Sequence, residues 1–272
     1  MSQRRAIFIT GGASGIGRAI AAKFGREGWF VGLGDLDEAG MAGTEALLPG
    51  GYHYSHRFDV TDRDAWETAL QCFSVAAGGR IDVVANNAGL PAGGPLSEIT
   101  HDEIDALLGV NLRGVFYGAK AAYPYLRVSA PGSCLLNTAS AAALYGMANQ
   151  SVYGATKAGV RSLTESLEAE WSAEGIRVRS LMPSFIDTPL LMHPPNKSRN
   201  TPIRDAVIEA GLEFTPVEEV ADAAWAAVHG NEIHHVIGKT ARQMRFAARW
   251  APGKLRQRAR LLTQAHDTSE KY

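Results

Sequence analysis

Tyr153 and Lys157 stand four residues apart in a segment with helical patterning, so they share one face. A free phenol has a pKa of about 10 and is a poor base at neutral pH, but an ammonium nearby stabilises the phenolate and lowers that value. Such a pair can move a proton to or from an oxygen. Ser140 precedes Tyr153 by 13 residues, just past a β-rich run, where its hydroxyl can hydrogen-bond an oxygen that gains charge. Asn111 lies inside a longer helical segment upstream. Near the start of the chain, Thr10-Gly11-Gly12-Ala13-Ser14-Gly15-Ile16-Gly17 joins a strand pattern to a helix pattern. Its glycines let backbone amides approach a pyrophosphate, and the helix N-terminus faces the same anion.

These groups need elements to hold them. The pattern predicts strands at Arg5–Thr10, Phe30–Gly34, His53–Phe58, Ile81–Ala85, Ser133–Asn137, Ile176–Leu181 and His234–Ile237. Between them it predicts helices at Gly15–Gly28, Asp37–Leu48, Asp62–Ala77 with Thr61 as its cap, Ser151–Glu174 closed by Gly175, and Glu218–Val228. Thr100 and Glu103 have capping-box spacing and open a helix expected to reach Tyr123. Strands alternating with helices imply an α/β single domain, a doubly wound parallel sheet of about seven strands with helices on both faces. Regular patterning lapses from Pro183 to Pro216, and loops of that length are usually functional.

The loop spacing Thr-Gly-x-x-x-Gly-x-Gly is not that of the common dinucleotide fingerprint, and it resembles the signature of the short-chain dehydrogenase/reductase family. Asp35, 18 residues past Gly17, ends the second strand, where a carboxylate can accept from the adenosine ribose hydroxyls and repel a 2′-phosphate. No Lys or Arg stands at Ala13, Ser14 or Leu36, so NAD(H) is favoured over NADP(H). Asn111, Ser140, Tyr153 and Lys157 resemble the family's tetrad. The resemblance implies that Tyr153 is the acid/base of a hydride transfer and that Ser140 holds the substrate oxygen. It also implies that Lys157 tunes the phenol and clamps the nicotinamide ribose, and that Asn111 holds a relay water. Implied cofactor contacts are Gly11, Ser14, Gly15, Ile16 and Gly17 in the loop, with Asp35, Asp59 and Val60 at the adenosine end. Asn87, Ala88 and Gly89, from the Asn86–Gly89 motif, run beside the cofactor, and Pro183, Ile186 and Thr188 complete the set. Ser184 departs from the family's usual glycine. The resemblance covers roughly residues 5–240, giving a Rossmann-like catalytic domain (1–238) and a C-terminal extension (239–272). Relatives are commonly tetramers, which implies a homotetramer or homodimer through the Thr100–Tyr123 and Ser151–Glu174 helices, where small residues permit close packing.

The apolar side chains Leu90, Pro91, Ala141–Leu144, Met147, Phe185 and Leu190–Met192 are candidate pocket walls. No cation is evidently placed for an anionic substrate, which favours a small hydrophobic secondary alcohol or its ketone. A dinucleotide-binding sensor or scaffold with little turnover is the competing reading. Cys72 and Cys134 lack metal-ligand spacing, so no metal is expected, and two free thiols suit a cytoplasmic protein. No signal-peptide core is expected at the N-terminus, and the uncharged stretch 133–156 is too polar for a membrane span.

The chain has 272 residues and a net charge of −1, which conceals a division. Residues 1–232 carry a net −8 and residues 233–272 a net +7, so a uniformly basic nucleic-acid binder is excluded. In the extension, eight cations from Lys239 to Arg260 interleave with Met244, Phe246, Trp250, Leu255, Leu261 and Leu262, and Pro252 is expected to divide two short helices. The preferred reading is a helix docked on the acidic body or on a neighbouring subunit. Peripheral contact with an anionic membrane is the lesser alternative, and nucleic-acid binding is set aside.

Overall fold

A computed structural model describes residues 4–257. The strands are β1 (Ala6–Thr10), β2 (Phe30–Asp35), β3 (His53–Arg57), β4 (Val83–Asn86), β5 (Cys134–Thr138), β6 (Arg177–Pro183) and β7 (His234–Ile237). All neighbours are parallel, in the order β3-β2-β1-β4-β5-β6-β7. Parallel pairing needs crossovers. These are α1 (Gly15–Arg26), α2 (Glu38–Glu45), α3 (Arg63–Ala76), α4 (His101–Leu108), α5 (Gly114–Ser129), α6 (Ser151–Trp171), α7 (Ile203–Glu209) and α8 (Val217–His229); α9 (Lys239–Trp250) follows β7.

Side chains alternate across the sheet. Ile7, Ile9, Val31 and Leu33 face Ile20 and Phe24 of α1 and Val220 and Ala224 of α8. Phe8, Val84, Leu135 and Val178 face Trp66, Leu70 and Phe73 of α3 and Leu126 of α5. Buried on both sides, the central strands read as continuous apolar runs such as Ala6-Ile7-Phe8-Ile9. The strand order reverses between β1 and β4, and ligands of such sheets bind at the carboxyl ends beside that reversal.

Three local expectations are corrected. The helix opening at Thr100 has its capping box, with Glu103 N–H donating to Thr100 Oγ1 at 3.3 Å and Thr100 N–H to Glu103 Oε2 at 2.9 Å. It is not continuous, because a π turn at Gly109–Arg113 separates α4 from α5, which runs on to Ser129. Gly114 follows that turn so close to Val60 that a Cβ would lie 2.9 Å from the Val60 carbonyl oxygen. The cap of α3 is Asp62, not Thr61, whose N–H is bonded to Asp59 Oδ1. The 183–216 stretch holds a 3-10 turn at Pro189–Met192, the helix α7, and a bridge from Ile186 to Thr215. Within the subunit a Cβ at Gly118 would press on Asn86 Oδ1 and the Trp66 ring, and one at Gly159 on Leu112, whereas Ala155 and Ala158 are exposed on α6.

In the extension, α9 is followed by a helical stretch at 252–257, beginning at Pro252 as expected. Arg258, Arg260, Leu261 and Leu262 lie outside the described residues. Among the described residues no helix is long and apolar enough to cross a membrane.

Candidate active site

The turn after β1 is built by glycine. Gly11 and Gly15 have φ of +67° and +51°, a region that side chains disfavour. At Gly17 a Cβ would overlap the Gly11 carbonyl oxygen. The Asn86–Gly89 motif after β4 is tied to this turn. Thr10 Oγ1 accepts from the Asn87 and Ala88 amides at 3.1 and 3.2 Å, and Asn87 Nδ2 donates to the Thr10 carbonyl at 3.0 Å.

Asp35 ends β2. Its Oδ2 accepts from the Ala13 amide at 3.0 Å, and its Oδ1 accepts from Leu36 and Asp37 at 2.7 and 3.1 Å. The cap of α2 is Asp37, which accepts from Gly40 N–H, so Asp35 is not held there as a helix cap. Sequence reasoning missed Arg18. Its guanidinium donates to the Ala13 and Gly40 carbonyls at 2.5 and 3.2 Å and to Thr44 Oγ1 at 3.1 Å, bracing the loop against α2.

Around this frame runs a cavity of about 560 Å³. It passes from Asp35, Asp59 and Val60 along Gly11, Ser14, Gly15 and Ile16, with Asn87, Ala88 and Gly89 opposite. It continues past Ser140, Tyr153 and Lys157, with Pro183, Ile186 and Thr188 on its wall, and ends against Leu190, Leu191, Thr240 and Met244. Of the predicted site residues, Gly17 and Asn111 stand behind the wall. Thr240 and Met244 come from α9. Met244 gave a signal in retrospect, as an apolar residue three positions after Ala241 in a polar helix.

The residues fit a dinucleotide. The turn leaves backbone where a Cβ would intrude, its amides precede the N-terminus of α1, and the half-buried Asp35 carboxylate stands at one end of the cavity.

At the other end, the β5 carboxyl terminus sets Ser140 and the first turns of α6 set Tyr153 and Lys157. Ser140 Oγ accepts from the Ala142 amide at 3.1 Å, which leaves its hydroxyl hydrogen free to donate. Lys157 Nζ donates to the Thr138 carbonyl at 2.8 Å and lies 5.7 Å from the Tyr153 ring centroid. Burial pushes the Lys157 ammonium down to about 8. Burial also raises the Tyr153 phenol above its ordinary value, while a hydrogen bond with Ser140 pulls it back. The expected lowering by Lys157 is not among the causes, and loss of solvent dominates.

Asn111 is fully buried in the π turn. Its Nδ2 donates to the Leu90 carbonyl at 2.9 Å, and its Oδ1 accepts from the Leu90 amide at 2.7 Å. Each atom retains one further hydrogen-bonding position. Oδ1 and Lys157 Nζ both flank Gly89, where a Cβ would meet them at 3.3 and 3.6 Å. Thr138 and Leu90 act here through backbone atoms, which left no side-chain signal in the sequence. Ser184, at the expected glycine position, faces Thr215 Oγ1 at 3.5 Å. Among the described residues no cluster of His, Cys, Asp or Glu could hold a metal.

A family model described as short chain dehydrogenase matches residues 5–198. The 3-oxoacyl-[acyl-carrier-protein] reductase FabG of Thermotoga maritima is 36% identical over 215 residues, covering 78% of this chain and 85% of the relative. The crystal structure of levodione reductase superposes with a TM-score of 0.73 at 30% identity, covering 82% of this chain and 90% of that one. A short chain dehydrogenase/reductase from Burkholderia phymatum, solved in complex with NAD, gives 0.75 at 27% identity, covering 86% and 90%. The chain belongs to the short-chain dehydrogenase/reductase family and is an oxidoreductase acting on CH–OH and keto groups with NAD(P).

Proposed function

We propose that the protein interconverts a small hydrophobic secondary alcohol and its ketone with NAD(H), using Tyr153 as general acid/base. The observation that carries this reading is the single cavity joining Asp35 to the Tyr153–Ser140 pair and closing on Leu190, Leu191 and Met244. When bound, the nicotinamide supplies or accepts the hydride. Tyr153 Oη gives a proton to the carbonyl oxygen in reduction and takes it back in oxidation. A phenol is protonated at neutral pH, as reduction requires, and burial pushes its pKa further up. The Ser140 hydroxyl donates to the same oxygen as charge builds there. Lys157, held by the Thr138 carbonyl, has N–H groups left for the cofactor ribose, and Asn111 and Lys157 hold a relay water beside Gly89.

NAD(H) is favoured over NADP(H) because the Asp35 carboxylate would meet a 2′-phosphate, and the neighbouring Arg18 is turned onto backbone carbonyls. The apolar end of the cavity supports an uncharged substrate. Two free thiols, Cys72 and Cys134, support a reducing, cytoplasmic setting. The exposed Leu108 and Phe116 of α4 and α5 support a homo-oligomer through those helices. The test is loss of reduced-nicotinamide absorbance with cyclic, aryl and long-chain ketones against charged keto acids. Turnover confined to the apolar ketones is expected, and preference for keto acids would overturn the substrate class. Tight NADH binding without turnover on any of them would favour the sensor reading.

A further inference from the structure

Among the described residues nothing covers the outward face of α9. Ala241 is fully buried, and Met244 and Ala248 turn inward. On the opposite side Phe246 and Trp250, one turn apart, are 68% and 67% exposed. Arg242, Arg245 and Arg249 form an exposed row along one flank of that aromatic pair. Residues 233–266 contain no Asp or Glu. Although the body is acidic, the row does not pair with it. Among the described residues the only ion pair made by α9 is a long one, Lys239 to Glu213 at 3.9 Å. Leu255 is buried beyond α9 while Lys254 and Arg256 point outward, so the segment is pinned by its apolar side with its charges displayed.

A second cavity of about 390 Å³ lies at the foot of the same helix. Its floor is Leu144, Met182 and Val236; Arg245 and Arg249 stand around it, with Arg161 and His234, both of which are paired with Glu165. An acidic protein surface would match the arginines but leave the aromatic pair and this apolar floor unmatched. Anionic phospholipid matches all three, with phosphate against the arginines and hydrocarbon against the rings and the floor.

We propose that α9 docks the enzyme on the surface of an anionic bilayer, with Phe246 and Trp250 entering the interface and the arginine row binding headgroups. Because Met244 of the same helix lines the catalytic cavity, docking sets that cavity beside a reservoir of apolar substrate. The proposal does not depend on turnover, and its failure would leave the oxidoreductase reading intact.

The test is co-sedimentation of the full chain with phosphatidylcholine vesicles, with and without phosphatidylglycerol, at low and high salt. Binding is expected only with phosphatidylglycerol and is weakened by salt. At about fivefold per cation, the triple variant Arg242→Gln, Arg245→Gln, Arg249→Gln should bind about 100-fold more weakly. Phe246→Ala with Trp250→Ala should lose at least about tenfold. NADH affinity should be unchanged in both variants, which reports that they fold. Equal binding to both vesicle types, or variants that bind like the wild type, would overturn the proposal. It would equally fall if the Phe246→Ala, Trp250→Ala variant changed oligomeric mass by light scattering while vesicle binding stayed constant, because the face would then be a subunit contact.

Discussion

Burial acts on Lys157 and Tyr153 in ways that solution can report. With the Lys157 pKa at about 8 in the fold and 10.5 as the ordinary value, the folded state binds fewer protons than the unfolded state between those two pH values. Stability therefore rises with pH across that window and is lowest, by about 3 kcal/mol, below it. Lys157→Met removes this dependence. The wild-type-minus-variant difference in unfolding free energy should become more favourable to the wild type by about 3 kcal/mol from pH 7 to pH 10.5. Parallel curves from denaturant titrations would contradict the burial of this ammonium. On the proposed reading, Asp35 meets the adenosine ribose of the cofactor. Asp35→Ala removes the charge facing a 2′-phosphate and should move the NADPH-to-NADH ratio of kcat/KM by at least about tenfold toward NADPH. A wild type that already prefers NADPH would refute this argument.

At the scale of elements, the site depends on how closely α5 and the π turn approach the β4 end. A Cβ at Gly118 would press on Asn86 Oδ1 and lie 2.7 Å from the Trp66 ring, whereas a Cβ at Gly146 meets nothing within 4 Å. Gly118→Ala should cost about 2 kcal/mol in denaturant unfolding and weaken NADH binding through the neighbouring Asn87–Gly89 segment, while Gly146→Ala should change neither. The contrast also marks what the sequence could carry. The phosphate loop, Asp35 and the Ser140–Tyr153–Lys157 spacing were legible because each is a local pattern within one element and its flank. The π turn was not, because it arises where Val60 meets Gly114 and where Leu90 bonds Asn111, contacts between residues far apart in the chain. The Thr138 carbonyl that holds Lys157 was hidden for a related reason, since any residue type supplies that atom.

Across the whole molecule, the acidic body and the basic end are joined by packing. α9 buries Ala241 and lends Met244 to the cavity, and Leu255 is buried beyond it. Removing residues 239–272 should therefore lower the melting temperature by roughly 5–10 °C, and raise KM for apolar ketones while NADH still binds. An unchanged melting temperature would mean that the extension is an appendage. Composition could announce the charge of this end but not the inward side of its helix, because only the folded body defines which side is inward.

The central claim is that Tyr153 moves the proton. It is tested most directly by comparing wild type and Tyr153→Phe in ketone-dependent NADH oxidation and in equilibrium NADH binding. Tyr153→Phe should lose turnover by about 1000-fold with NADH affinity nearly unchanged. A Phe variant that turns over as fast as the wild type would contradict it.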